Sequence, residues 1–264
     1  MKLFTTEQLV QFNRNGYVVV PGLVTPSECA RMMALARDHL TRVVPPVEYE
    51  ADLGYPGAPA SKAAPGGHTV RRLLRAYTRD PLFAAWGKDP RAVARVQQLF
   101  APPGSTGVRP ALVLLQAHHN SVMTKQPGFS SETHWHQDIR YWSYARPELV
   151  SVWLALGNET AENGCLMLLP GTHTREFDTA RMDDAQFLRP ELPANQALIA
   201  TRVLAPLAAG DVLFFHARTF HAAGRNFTQQ TKFSIVYTYG PDDNPARAGS
   251  RSAAEKEIAL DWIA

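Results

Sequence analysis

The chain has 264 residues, 45% apolar and 19% charged, which excludes a disordered, collagen-like or coiled-coil protein. Lys and Arg number 27 against 24 Asp and Glu, and a formal charge of +3 supplies no basic stripe for a nucleic acid. The two cysteines, Cys29 and Cys165, exclude a disulfide-rich scaffold and read as small buried hydrophobes.

Glu7, Asn13 and Arg14 interrupt the apolar start of the chain, so it does not read as a signal peptide. No apolar run reaches the ~18 residues of a membrane span. The expectation is a cytoplasmic protein with a small-molecule substrate and no nucleic-acid or membrane partner.

In chain order, Thr5 and Gln8 form a capping box that opens a helix through about Arg14. Asn15-Gly16 stops it, and Tyr17–Val20 reads as a strand. Thr25-Pro26-Ser27-Glu28 is a second capping box, opening a helix to about Arg42. Residues 44–68, rich in Pro, Gly and Ala, read as a long loop of the kind that serves as a lid. Residues 69–99 read as helix, first on the spacing of Val70, Leu73, Leu74 and Tyr77, then from Pro90 to Phe100.

From Ala111 the texture becomes short β runs: 111–117, 121–125, 134–141, 149–156, 165–169, 212–216 and 232–239. Asn163-Gly164 predicts a type I′ hairpin turn between two of them. Residues 176–200 read as an insertion, and Ala253–Ile263 as a closing helix. The predicted architecture is mainly β with flanking helices. It forms a single domain, with a mostly helical part (1–110), a β-barrel-like core (111–240) and a C-terminal tail (241–264).

The segment with most chemistry is Thr133-His134-Trp135-His136-Gln137-Asp138. On a strand, residues two apart share a face, so His136 and Asp138 point the same way. An imidazole and a carboxylate so placed can take adjacent positions on a metal, and His221 is the best candidate for a third ligand. Two His and one carboxylate make the facial triad of non-haem Fe(II) oxygenases, which leaves three positions open. His134 shares that face and reads as a hydrogen-bonding His. Were it a ligand with His136 and His221, the chain would be a cupin-like protein holding Zn²⁺ or Ni²⁺. Continuing the strand also turns Arg140 and Trp142 inward, with Tyr141 and Tyr144 adding aromatic surface. Arg140 and Arg225 are candidate contacts for an anionic group of the substrate.

Residues 115–239 resemble the phytanoyl-CoA dioxygenase family of Fe(II)/2-oxoglutarate-dependent oxygenases. The resemblance rests on Trp135-His136-Gln137-Asp138 with Tyr141, on Ser151–Leu156 followed by Glu162–Leu166, and on Leu169–His173. Gly210–His216 and His221–Asn226 complete it, and Gly16–Leu23 is similar to the family's start. It implies a double-stranded β-helix (a jelly-roll, cupin-like core) with His136, Asp138 and His221 as iron ligands. It also implies 2-oxoglutarate and O₂ as cosubstrates, with hydroxylation of an unactivated C–H and release of succinate and CO₂. The retained Asp138 favours hydroxylation, because related halogenases replace this carboxylate.

The family's cosubstrate Arg, eleven positions after the distal His, is Lys232 here. Lys keeps the charge and loses the two-pronged fork. Trp153 matches a cosubstrate-pocket Trp, and Ala223 stands where the family often has Ser. Lys125 reads as structural or lid-related, and Asn226 as fixing the loop after His221. A family member that has lost its cosubstrate site is the other reading these departures allow.

Overall fold

The computed structural model describes residues 2–101 and 110–260. Helix α1 (Thr6–Asn15) starts at the Thr5 capping box and ends where Gly16 takes φ +82°. Strand β1 (Tyr17–Val20) follows, then α2 (Pro26–Thr41) behind the Thr25–Glu28 box. The next elements are β2 (Val47–Tyr49), β3 (Val70–Leu74), α3 (Ala76–Arg79), α4 (Pro81–Gly87) and α5 (Pro90–Phe100). Then come β4 (Leu112–Leu115), β5 (Ser121–Lys125), β6 (Thr133–His136), β7 (Val150–Ala155) and β8 (Leu166–Leu168). The chain continues with α6 (Pro193–Ile199), β9 (Val203–Ala205), β10 (Val212–His216), β11 (His221–Ala223) and β12 (Lys232–Pro241). It closes with α7 (Arg251–Ala254) and β13 (Ile258–Leu260).

The strands form two antiparallel sheets. The larger runs β1-β10-β7-β12-β5-β3-β2, with β4 on the far part of β12 and β13 beside β4. The smaller runs β6-β11-β8-β9. The period-2 alternation of β12 shows how the large sheet is built. Phe233, Ile235, Tyr237 and Tyr239 pack on one face with Phe12, Met32, Phe83, Trp86 and Val93 from the helices. Val236, on the opposite face, packs with Trp153, Leu213 and Phe215 against Leu166, Leu168 and Ala223 of the small sheet. Polar residues on that second face, Lys232, Ser234 and Thr238, therefore have their side chains between the sheets. Both cysteines are buried and free, and burial pushes both thiols up.

Several local expectations are corrected. Val70–Leu74 is a strand, because pairing with β5 and β2 outweighs helical spacing. Its Arg71 and Arg72 meet Glu50 and Glu48, which lets a charged strand be buried. Asn163-Gly164 is no hairpin turn: β7 and β8 lie in different sheets, and only Gly164 of the two has positive φ. Asn163 instead accepts from Thr160 N and donates to Asn158 O, closing the loop on itself. Within the predicted closing helix, only 253–254 are helical and 258–260 pair as a strand, while 261–263 lie outside the described residues. The N-terminal part carries α1 to α5 and gives the expected β1, together with β2 and β3, to the large sheet. Among the described residues no helix is long and apolar enough to cross a membrane.

Candidate metal centre

His136 ends β6 and His221 begins β11, and the two are register partners across the small sheet. Their rings lie 4.3 Å apart. The expected strand does not continue past His136. Asp138–Tyr141 form a 3-10 turn, anchored by Ile139 N–H on Ala217 O at 2.9 Å. That turn brings the Asp138 carboxylate back to the histidines. Oδ1 lies 3.3 Å from His221 Nε2 and 3.7 Å from His136 Nε2. One ligand atom from each of the three residues falls within 4.8 Å of the others, and all three are buried.

Hydrogen bonding fixes which atoms face the centre. His136 Nδ1 donates to His134 O at 2.8 Å and His221 Nδ1 to Thr219 O at 3.0 Å. Each Nε2 is then left with a lone pair turned inward. Ser151 Oγ donates to Asp138 Oδ2 at 2.7 Å, and His119 Nδ1 stands 3.2 Å from the same oxygen without hydrogen-bond alignment. His119 has φ +41°, a backbone conformation that costs free energy outside glycine. Asp138 Oδ1 is buried and has no hydrogen-bond partner. A buried carboxylate oxygen without a donor, beside two imidazole lone pairs, fits a divalent metal.

The charges agree. Burial alone would raise the Asp138 carboxyl, but His119 and His221 outweigh it and hold it well below its ordinary range. Burial, then the charge of His221, holds His136 well below its usual value. Burial also opposes charge on His221, yet the Asp138 carboxylate prevails and raises it.

The cavity beside the triad is lined by Tyr55, Arg71, Lys125, Tyr141, Trp153 and Lys232, among others. Lys232 Nζ donates to Glu159 Oε2 at 2.9 Å. Glu159 Oε1 accepts from Trp153 Nε1 at 2.9 Å and from Ser234 Oγ at 2.5 Å. Leu53 and Tyr55, from the 44–68 segment, form part of the wall, and the Tyr55 ring meets Phe187 edge-on at 5.6 Å.

The other residues singled out in the sequence fall elsewhere. The 3-10 turn breaks the alternation on which Arg140 and Trp142 were placed, and Tyr141 lines the cavity in their stead. Arg140 lies over the rings of Phe187 (4.1 Å) and Tyr141 (4.9 Å), and lines a separate surface pocket with Arg175 and Arg218. Trp142 is packed in the apolar cluster of Val113, Leu115, Tyr144, Leu149 and Ala217. Arg225 donates to Ser130 O and Gly128 O and presses on Gly57, so it ties two loops together outside the cavity. His134 is exposed, with its ring toward Phe187 at 5.8 Å. Asn226 holds Lys125 O and Gln230 O, a loop-fixing role.

Sequence reading missed Ser151, Glu159, Arg71 and His119. Ser151 and Glu159 carried a usable signal: a hydroxyl inside Val150–Ala155 and a carboxylate just after it must each find a buried partner.

Comparison with known proteins gives a consistent picture. The family model described as phytanoyl-CoA dioxygenase (PhyH) matches residues 12–234. Ectoine dioxygenase of Stutzerimonas stutzeri is 27% identical over 259 residues, covering 92% of this chain and 78% of that protein. Peroxisomal phytanoyl-CoA dioxygenase of Mus musculus is 30% identical over 251 residues, covering 91% and 70%. Among solved structures, the epimerase SnoN in complex with Fe³⁺, alpha ketoglutarate and nogalamycin RO superposes with a TM-score of 0.72 at 22% identity, covering 98% of this chain and 95% of that one. EctD of S. alaskensis with 2-oxoglutarate and 5-hydroxyectoine gives a TM-score of 0.72 at 18% identity, covering 92% and 78%.

Proposed function

The chain belongs to the phytanoyl-CoA dioxygenase family, and we propose that it is an Fe(II)- and 2-oxoglutarate-dependent hydroxylase of a small organic molecule. The observation that carries this reading is the convergence of Asp138 Oδ1 with His136 Nε2 and His221 Nε2 at one buried point. The two sheets are read as a double-stranded β-helix, a jelly-roll in which residues 1–264 act as one oxygenase domain.

His136, Asp138 and His221 would hold the metal, and three protein ligands leave it free to take the keto and C1 carboxylate groups of 2-oxoglutarate. Iron there supplies O₂ activation coupled to decarboxylation: substrate R–H, O₂ and 2-oxoglutarate give R–OH, succinate and CO₂. Ser151 and the two backbone carbonyls keep the three ligand atoms aimed. Lys232 lies on the cavity wall and would supply the cation for the distal carboxylate. Trp153 presents its ring there, because its N–H is taken by Glu159. Leu53, Tyr55 and Tyr141 shield the centre from water.

The cavity wall carries Tyr55, Tyr141 and Trp153, and its two arginines are paired with carboxylates: Arg71 with Glu50, Arg72 with Glu48. This favours a substrate whose reacting part is neutral. Arg140 would meet an anionic group only from the surface pocket beyond Phe187.

The test is stoichiometry and turnover. The account expects one Fe(II) bound per chain and succinate formed from 2-oxoglutarate in air. A folded His221→Ala variant should lose both. Full succinate formation by that variant would exclude the assigned centre.

A further inference from the structure

Arg140 belongs to the turn that carries Asp138 but lines no part of the cavity beside the triad. Its guanidinium lies over the rings of Phe187 and Tyr141. A ring face attracts the charge but gives the N–H groups no ordinary acceptor. Arg140 Nη1 is buried and has no hydrogen-bond partner. An unmatched buried donor on a charged group is costly, so it calls for an acceptor from outside the chain.

The surface pocket that Arg140 does line has a volume of about 390 Å³, within the range of ligand sites, and shares no lining residue with the metal cavity. Arg175 and Arg218 line it too, and Glu176 is its one carboxylate among the described residues. Glu176 Oε1 accepts from Arg218 Nη2 at 2.6 Å, on a side chain that is 90% exposed. Arg175 lies over the Phe177 ring at 5.2 Å, and no carboxylate among the described residues pairs with it or with Arg140. The charges nearby are otherwise engaged. Arg181, over the same ring, donates to Asn195 Oδ1 and Ala194 O, and Asp183 accepts from Phe187 N. Three guanidiniums against one carboxylate leave two positive charges in excess.

We propose that this pocket is a binding site for a dianionic phosphoryl group, held by Arg140, Arg175 and Arg218. A phosphoryl group carries close to two negative charges at neutral pH and offers three strong acceptor oxygens. Guanidinium forks match those oxygens, and a carboxylate would neutralise only half of the excess charge. Arg140 Nη1 is the buried anchor. Glu176 competes with the ligand for Arg218 and holds the affinity down. Phe177 and Met182 give the pocket apolar surface on which the organic part of a phosphate ester can rest. The site needs no metal and does not rest on the oxygenase reading. It is nonetheless close to that centre, because Phe187 touches both Arg140 and, edge-on at 5.6 Å, the ring of His136.

The experiment is calorimetric titration of the full chain with inorganic phosphate and, separately, with phenyl phosphate, at an ionic strength held constant with sodium chloride. Wild type should take up one equivalent of each probe. Arg140→Met should weaken both about tenfold or more, the loss of charge-assisted hydrogen bonds from a buried donor. Arg175→Met removes an exposed charge and should weaken both about threefold. Glu176→Gln removes the competing carboxylate and should tighten both about threefold, a gain that damage to the pocket would not produce. Arg175 and Glu176 are exposed, so their variants test the site even if Arg140→Met does not fold. Tighter binding of phenyl phosphate assigns the site to a phosphate ester, and equal or weaker binding assigns it to free phosphate; both support the proposal. No binding of either probe by wild type overturns it. So does binding that the folded variants leave unchanged, because the phosphate then sits elsewhere.

Discussion

Ser151 Oγ donates to Asp138 Oδ2 at 2.7 Å, and this bond decides which carboxylate oxygen faces the two histidines. Ser151 also lies 3.2 Å from Thr238 Oγ1, so the hydroxyl is itself positioned from β12. Ser151→Ala should leave the fold intact and weaken Fe(II) binding about 10- to 100-fold, the usual cost of losing a group that orients a ligand. Metal titration of the two proteins checks this. Equal affinity would show that Asp138 needs no outside orientation.

Lys232 and Glu159 form a buried ion pair, with side chains 3% and 0% exposed. Removing one partner leaves the other charge unmatched, at a cost of about 3–5 kcal/mol. Glu159→Leu should therefore lower the unfolding free energy by that order. Glu159→Leu with Lys232→Met should recover much of it, because no lone charge remains. Denaturant unfolding of the single and double variants gives the coupling. A double variant as unstable as Glu159→Leu would mean that the Trp153 and Ser234 hydrogen bonds, not the charge pair, hold this corner.

His216 is pushed down to about 3, first by burial and then by His173 and Arg218. It accepts a hydrogen bond from Arg218 N at 3.0 Å, which requires a neutral ring. Below its ordinary value of 6.5 the unfolded chain binds the proton and the folded chain does not. Stability must then fall as pH drops from about 6.5 toward 3, and rise again with pH. By pH 5 the loss from this group is about 2 kcal/mol. His216→Gln retains an acceptor for Arg218 and should flatten the fall in melting temperature between pH 7 and 5. The same slope in both proteins would refute the assignment.

Gly210 has φ +92°, and a Cβ there would lie 2.1 Å from Val24 O. Val24 N donates to Gly210 O at 3.0 Å, so this turn ties the start of α2 to the large sheet. Gly210→Ala should destabilise the protein by more than about 1 kcal/mol, from strain and the forced separation of the two backbones. Thermal unfolding measures it. A neutral substitution would mean that the turn relaxes freely.

The elements that were legible in the sequence are those with local causes. Both capping boxes, the Gly16 stop and the β runs at 121–125 and 212–216 depend on neighbours in sequence, and they stand where expected. The residues of the triad were legible too, because His136 and Asp138 are close in sequence and His221 follows the strand at 212–216. The structure brings Asp138 to the centre through a 3-10 turn, not through strand alternation, and the same turn removed Arg140 and Trp142 from the cavity. What was not legible depends on long-range pairing. β3 was hidden because its arginines are buried only through Glu48 and Glu50, twenty-odd residues earlier. That Lys125 and Lys232 stand opposite each other is a fact of register between strands 107 positions apart, which no local pattern carries.

The most direct measurement of the central claim is an anaerobic titration of the metal-free protein with Fe(II) and then 2-oxoglutarate, following the weak visible charge-transfer band of the chelate. The account predicts a band that saturates at one equivalent of each in wild type and is absent in a folded His136→Ala variant. Stoichiometric metal binding with no band on addition of 2-oxoglutarate would contradict it.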